Sequence, residues 1–222
     1  MAEHYGEIPK RFTKAWWGYF WMYYKWYVIG IGAAVIAIIF TVAQCAGRKS
    51  YDLIVNYCGA MYYDNESING WEQALLPYTD DANGNGSVDV FVQQINFSQD
   101  SASPEIESAM QVKHDMELSN DCSFIFIYDK AEAEIAFSRE SASAAYVDAN
   151  EWAEGTLDES ELLYSSDGKP CGVSLAGSKL LESLGIDASD LYISIRMNYA
   201  DDETNAAAQS SAVKAANAML EK

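Results

Sequence analysis

The stretch WYVIGIGAAVIAIIFTVAQCA, residues Trp26 to Ala46, decides how this chain is organised. It carries no charged residue, and a helix of roughly 20 mostly apolar residues crosses a hydrocarbon core of about 30 Å. A buried helix of a soluble domain usually keeps a polar face, which this stretch lacks. The sequence therefore predicts a transmembrane helix over residues 26–46, which separates a short tail, residues 1–25, from residues 50–222.

The charges around the predicted span predict its orientation. Four basic residues precede the span and two follow it, namely Lys10, Arg11, Lys14 and Lys25 before it and Arg48 and Lys49 after it. Basic residues concentrate on the cytoplasmic side of a membrane, so we expect a single-pass protein of the cell membrane with a cytoplasmic N-terminus and an extracellular C-terminal domain. A cleaved signal peptide is the alternative, although its apolar core is usually about 7–15 residues long.

Nine aromatic residues lie between Trp16 and Tyr27. Trp and Tyr rings favour the headgroup level of a bilayer, where the ring is half buried and its polar atom still meets water. We therefore expect four tryptophans to lie at the membrane interface, namely Trp16, Trp17, Trp21 and Trp26. Nine rings exceed the needs of one aromatic belt, which leaves open an interfacial helix or a surface that docks another membrane protein.

Acidic residues are concentrated after the predicted span. Residues 50–222 hold 31 acidic and 8 basic residues, a net charge of −23, whereas the rest of the chain holds 2 acidic and 6 basic residues. Such a domain repels phosphates and offers no basic patch, which argues against nucleic acid as a partner. The charge favours cations or cationic ligands, and high solubility is the simpler explanation of the same composition.

Strand-like and helix-like segments alternate after the span. The strand-like segments are residues 52–59, 88–97, 122–129 and 191–199, with a hairpin over residues 163–175. The helix-like segments are residues 68–78, 104–116, 130–137, 141–147, 178–184 and 202–220. This alternation predicts one acidic α/β domain with a mixed or parallel sheet flanked by helices.

The most specific chemical motif is the loop DANGNGSVD. Its oxygen-bearing residues follow the spacing of an EF-hand-type calcium loop, and they are Asp81, Asn83, Asn85, Ser87 and Asp89. Position 12 of the loop is Val92 where such loops carry a bidentate Glu, so water or a remote carboxylate such as Asp64, Glu66 or Asp80 would complete the shell. The alternative is a plain Asn-Gly turn, whose side chains cap their own backbone. Calcium is the one cofactor that the sequence suggests.

The cysteines and histidines of the chain give no specific signal of catalysis or metal binding. Cys58 ends one strand-like segment and Cys122 begins another, so neighbouring strands would make a disulfide between them geometrically possible, with two small buried thiols as the alternative. His114 lies on a predicted helix without a partner motif, and we interpret it as a helix-surface or boundary residue. The sequence shows no phosphate-binding Gly loop and no metalloprotease helix, so we predict that the chain is not an enzyme.

Several segments of the sequence resemble segments of a known protein family. They are WMYYKWYVIG, CSFIFIYDK, AYVDANEW and CGVSLAGSKLLESLGIDASDLYISIR. Together they resemble small clostridial membrane-anchored proteins whose outer domain is similar to a fragment, one lobe, of type 2 periplasmic solute-binding proteins. The resemblance implies a solute-binding-like α/β lobe over most of residues 50–222. Because a full solute-binding protein closes two lobes on its ligand, it does not by itself imply a complete cleft.

These observations predict a membrane-anchored extracytoplasmic protein that acts by binding. We expect partner or ligand capture, in an accessory role beside a transporter. The alternative is a structural or assembly role in the cell envelope, in which the aromatic stretch docks another membrane protein. A concave pocket in the domain favours binding, and a flat, filled domain favours assembly.

Overall fold

The aromatic and apolar stretch near the N-terminus forms one helix. The structure, a computed structural model, describes residues 10–46, 50–97, 104–120, 122–155, 157–200 and 202–222, and of residues 43–46 it describes the backbone. Helix α1 spans Lys14–Ala46, which is 33 residues and about 50 Å at 1.5 Å per residue. It therefore includes the predicted span together with the aromatic stretch that precedes it.

Part of α1 has the length and composition of a membrane span. Over Lys14–Val42 the helix reaches a mean hydropathy of 2.0, and none of that apolar window is buried. It is the single candidate span within the described ranges, and membrane anchors share this property with N-terminal signal sequences. The four tryptophans expected at the interface all lie on this helix, and three of them, Trp17, Trp21 and Trp26, are more than half exposed.

The chain divides into two units, Met1–Lys49 and Ser50–Lys222, and the second contains every strand of the described residues. The strands are β1 Leu53–Gly59, β2 Val90–Asn96, β3 Ser123–Asp129, β4 Leu162–Tyr164, β5 Pro170–Ser174 and β6 Leu191–Ile195. The helices are α2 Asn65–Leu75, α3 Pro104–Glu117, α4 Lys130–Ser138, α5 Ala142–Ala145, α6 Ala149–Trp152, α7 Lys179–Ser183 and α8 Glu203–Leu220.

The six strands form one mixed sheet in the order β2-β1-β3-β6-β5-β4. The first three are parallel, with Leu53 opposite Val90 and Val55 opposite Ile125. The other three join antiparallel, β6 to β3, β5 to β6 and β4 to β5. The predicted α/β domain with a mixed sheet and flanking helices is therefore confirmed.

Two core layers cover the two faces of the sheet because successive side chains of a strand point to opposite faces. On β3, Ile125 and Ile127 belong to the larger layer, which also contains buried residues of α2, α6, α7 and α8. Phe126 and Tyr128 belong to the smaller layer, which α4 and α5 cover and against which α3 packs through Met110. The smaller layer lies beneath the candidate site described below.

Most predicted elements are present, with shifted ends. The hairpin around SSDGKP becomes β4 and β5, and α8 begins after Asp202, whose side chain caps it through the amide of Asn205. Residues 141–147 form only the four-residue α5, because the chain then becomes extended at Tyr146, which bridges to Arg196. The short α6 is an element that the pattern analysis left as loop.

The Cys58–Cys122 disulfide that the sequence allowed does not fit the register of β1 and β3. Strands β1 and β3 are neighbours, as the disulfide required, but they are parallel. Cys58 lies opposite Tyr128 near the end of β3, whereas the carbonyl of Cys122 accepts the amide of Ile54 at the start of β1. Four residues of strand separate the two positions by about 13 Å, and a disulfide needs Cα atoms within about 7 Å.

Candidate functional site

A groove between α3 and α4 is a concave feature of the domain with a mainly apolar lining. It has a volume of about 610 Å³, and it is lined by Phe97, Glu107, Ser108, Gln111, Val112, Glu132 and Ile135. Ligand pockets of proteins have about 300–1,000 Å³ and combine apolar walls with a few polar groups. The groove therefore has the size and composition of a binding site.

The sheet topology explains why these side chains meet. Helix α3 lies between β2 and β3 in the chain, and α4 follows β3 directly. The Asp129 side chain at the end of β3 accepts the amide of Glu132 at 2.9 Å and so begins α4 at the carboxyl end of its strand. The same carboxylate accepts the amide of Ala60 at 2.8 Å, which ties the end of β1 to the start of α4.

Two carboxylates face each other across the groove. Partial burial raises the pKa of Glu132, and the carboxylates of Asp129 and Glu107 raise it further, while Arg139 opposes them. Among the described residues, neither Glu107 nor Glu132 forms an ion pair. The groove thus presents negative charge beside apolar side chains, and a cation inside it would be stabilised by both carboxylates.

Arg139 bridges the two helices beside the groove. From the end of α4 its Nη2 donates to Oε1 of Gln111 on α3 at 2.7 Å, and its Nη1 lies 3.6 Å from Oδ1 of Asp115. A second hollow of about 370 Å³ lies at this bridge, and its lining includes Arg139, Tyr146 and Tyr199. The bridge therefore separates the apolar groove from this more polar hollow.

A buried chain of hydrogen bonds begins beneath the bridge. Nε2 of His114 lies 2.7 Å from the hydroxyl of Tyr128, which lies 2.5 Å from the hydroxyl of Tyr146. Burial lowers the pKa of His114, although the adjacent Asp115 carboxylate raises it in part, and burial raises the pKa of both tyrosines. These pKa shifts favour the neutral forms of His114, Tyr128 and Tyr146. The three side chains therefore act as hydrogen-bonding groups that link α3 and the end of α5 to β3.

The loop predicted to bind calcium is closed by its own hydrogen bonds. The two carboxylate oxygens of Asp81 accept the amides of Asn85 and Gly86 at 3.1 and 2.8 Å, and the side-chain oxygen of Asn85 accepts the amide of Ser87 at 2.8 Å. Ser87 donates in turn to the Asp89 carboxylate at 3.0 Å. These are the contacts of the turn alternative, and the calcium site stays a prediction.

The remote carboxylates that could complete a calcium shell have other partners. Asp64 caps α2 through the amide of Ser67, and Asp80 pairs with Lys214. Asp52 reaches the loop instead, but its oxygens accept three backbone amides. Within the described ranges, no three His, Cys, Asp or Glu side chains converge as metal ligands. The loop lies before the start of β2 and Phe97 lies after its end, so the loop and the groove are at opposite ends of that strand.

The sequence reasoning missed the groove and misplaced His114. His114 is only 3% exposed, because α3 turns it toward Phe126 and Tyr128 rather than toward solvent. The four-residue spacing of Met110 and His114 was the signal for this inner face. Ile106, four residues before Met110, is 53% exposed.

Comparison with known proteins gives no match for this chain, whether against protein-family models, curated proteins or solved structures. The resemblance to one lobe of a type 2 periplasmic solute-binding protein therefore stays a prediction.

Proposed function

We propose that this chain is a membrane-anchored extracytoplasmic binding protein, and that its acidic domain captures a ligand or partner in the groove between α3 and α4. It acts by binding rather than by catalysis, in an accessory role such as one beside a transporter. The anchor is the apolar part of α1, with the N-terminus in the cytoplasm and residues 50–222 outside the cell.

The groove is the observation that carries the binding proposal. A domain that serves only as a spacer has no use for a hollow of about 610 Å³ whose walls include Val112 and Ile135, at least half exposed. Leaving apolar side chains in water forgoes roughly 25 cal/mol for each Å² that burial would cover. Exposed apolar surface of this kind is typical of sites that another molecule covers.

The length and charges of α1 support the anchor. The helix is about 50 Å long, and Lys14 and Lys25 are its only charged residues. The stretch after Lys25 crosses a bilayer core of about 30 Å, and the long side chain of Lys25 reaches the headgroups from its edge. Protease added to intact cells is expected to remove a tag placed after Lys222, and a protected tag would overturn the proposed topology.

Site-specific photo-cross-linking tests the groove. A benzophenone amino acid at Val112 or Ile135 is expected to give a discrete adduct in living cells, because both side chains line the groove. The same probe at Tyr164, which is 45% exposed on the edge strand β4, serves as the control. No adduct at the groove positions, or the same adduct at Tyr164, would contradict capture at this site.

A stacked row of aromatic rings favours a second candidate, the assembly role. Trp16, Phe20 and Tyr24 follow one another at four-residue spacing on α1, with ring centroids 5.3 and 5.4 Å apart, and Phe12 contacts Trp16 from just before the helix. Residues four apart share one helix face, so the row is a continuous aromatic stripe. Photo-cross-linking from Tyr24, an exposed member of the stripe, to another membrane protein, together with a groove that gives no adduct, would favour this role over ligand capture.

A further inference from the structure

We propose that the α3–α4 groove docks a segment of a partner protein that combines apolar side chains with a Lys or Arg. This inference rests on the proposed binding function and adds to it the chemistry of the partner.

The exposed apolar surface extends beyond the groove, which points to a partner larger than a small molecule. On α3, Ile106, Val112 and Met116 are 53%, 58% and 67% exposed, and Ile135 on α4 is 50% exposed. Val112 and Ile135 line the groove, whereas Ile106 and Met116 lie outside its lining. Met116 lies one turn after Val112 on the same side of α3, so a small molecule in the groove would leave it in water, whereas a peptide segment lying along that side would cover it.

The first half of α3 lies outside the core of the domain. Residues 104–109 are all exposed, and Met110 is the first residue of the helix that packs against the smaller core layer. A helix gains most of its stability in proteins from packing an apolar face rather than from propensity. The part of α3 that carries Glu107 and Ser108 is therefore open to a partner segment in the groove.

The charges of the groove define the polar part of the partner. Glu107 and Glu132 lie close enough for Glu107 to raise the pKa of Glu132, and neither forms an ion pair among the described residues. Their positions in the first turns of their helices stabilise each carboxylate, and Arg139 offsets part of the charge of Glu132, whereas no cation pairs with Glu107 among the described residues. An ammonium or guanidinium group between them would be attracted by both.

Arg139 fixes the direction of the docked segment. Its guanidinium is held by Gln111 and Asp115 at one side of the groove, where it repels a second cation. Because Arg139 also lies beside Glu132, the basic side chain of the partner lies toward Glu107, and its apolar side chains lie along Val112 and Ile135.

Defined peptides test this chemistry on the full chain in phosphatidylcholine nanodiscs. With a benzophenone amino acid at Val112, a biotinylated ten-residue peptide of Leu and Lys is expected to cross-link saturably. Matched peptides of Leu and Glu, and of Ser and Lys, are expected to cross-link at least tenfold less. Because the probe reports only contacts at Val112, peptide that binds the lipid does not contribute.

Matched charge variants separate the carboxylates of the groove from the overall charge. Glu107→Gln combined with Glu132→Gln is expected to raise the half-saturation concentration of the Leu-Lys peptide about threefold to tenfold, as expected for two partly exposed ion pairs. Glu182→Gln combined with Glu203→Gln removes the same charge from exposed positions on α7 and α8, and it is expected to change nothing.

The possible failures are distinguishable. If none of the peptides cross-links at Val112, the groove is not a binding site and the proposed function fails with this inference. Equal cross-linking by the Leu-Glu peptide overturns the cationic partner and leaves binding at the groove intact. Equal cross-linking by the Ser-Lys peptide, or an equal rise of the half-saturation concentration in both double variants, would mean that the acidic domain attracts cations in general and that the groove has no specific role. If phenethylamine at the same concentration as the peptide prevented cross-linking at Val112, the occupant of the groove would be a small amine.

Discussion

Replacing Asp52 by alanine is expected to destabilise the domain more than removing any exposed carboxylate. Asp52 is fully buried just before β1, and its Oδ1 accepts the amides of Ala82 and Asn83 at 2.9 and 3.1 Å. Its Oδ2 accepts the amide of Asp89 at 2.9 Å. One carboxylate therefore holds both ends of the loop that was predicted to bind calcium.

The magnitude follows from the three amides. A buried donor that loses its acceptor costs about 1–3 kcal/mol. Ala82, Asn83 and Asp89 are only half-buried, so water partly replaces the lost acceptor and the lower figure applies to each. Asp52→Ala should thus lower the free energy of unfolding by about 3 kcal/mol. Asp52→Asn keeps one acceptor oxygen and turns an NH₂ group toward the amide of Asp89, which should cost about 1–2 kcal/mol.

Urea unfolding of the full chain in nanodiscs, followed by near-ultraviolet circular dichroism, measures these differences. Asp190→Ala is the matched control, because it removes the same charge from an exposed turn and should stay within about 0.5 kcal/mol of the parent. The reasoning is refuted if Asp52→Ala unfolds within 0.5 kcal/mol of that control, since the three amides would then not depend on the carboxylate.

Three further predictions concern other parts of the domain. Gly172→Ala should lower the free energy of unfolding by about 1–3 kcal/mol, because its Cβ would lie 2.6 Å from Cε2 of the buried Phe137. Gly70→Ala should instead raise the free energy of unfolding by about 0.5–1 kcal/mol, because Gly70 lies inside α2. Burial lowers the pKa of His114 in the folded state, so the stability is fully present above its unfolded pKa of about 6.5 and is lost as the pH falls from that value through the lower folded pKa; His114→Gln should remove this pH dependence. If the loop is only a turn closed by its own hydrogen bonds, millimolar calcium should leave the thermal midpoint unchanged in the parent and in Asp81→Asn.

Each of these has a contrary result. Equal stability of the Gly172→Ala and Gly70→Ala variants in urea would mean that Phe137 moves aside without cost. A His114→Gln variant that keeps the parent's loss of stability between pH 7 and pH 5 would place that titration on another group. A calcium-dependent rise in thermal midpoint that Asp81→Asn abolishes would establish the calcium site that the loop spacing predicts.

The sequence predicts the local elements well because their signals are local. An apolar face at helical spacing, or a cap such as Asp202 before α8, depends on residues within one or two turns. The continuous apolar run Ser123–Asp129 likewise becomes the central strand β3, with neighbours on both sides. The ends of elements shift by a few residues where tertiary contacts take over, as at Tyr146, which leaves the helical pattern to bridge to Arg196.

What the sequence alone determined is a long apolar helix joined to an acidic α/β domain, because hydropathy, charge and periodicity are properties of the chain itself. Only the tertiary structure decided which distant residues meet. Parallel pairing of β1 with β3 separated Cys58 from Cys122, and the packing of α3 beside α4 brought Glu107 opposite Glu132. The pattern of a strand or helix predicts its buried face but not its neighbour, because pairing depends on how the whole sheet minimises exposed apolar area. The groove exists only where two such helices leave space between them.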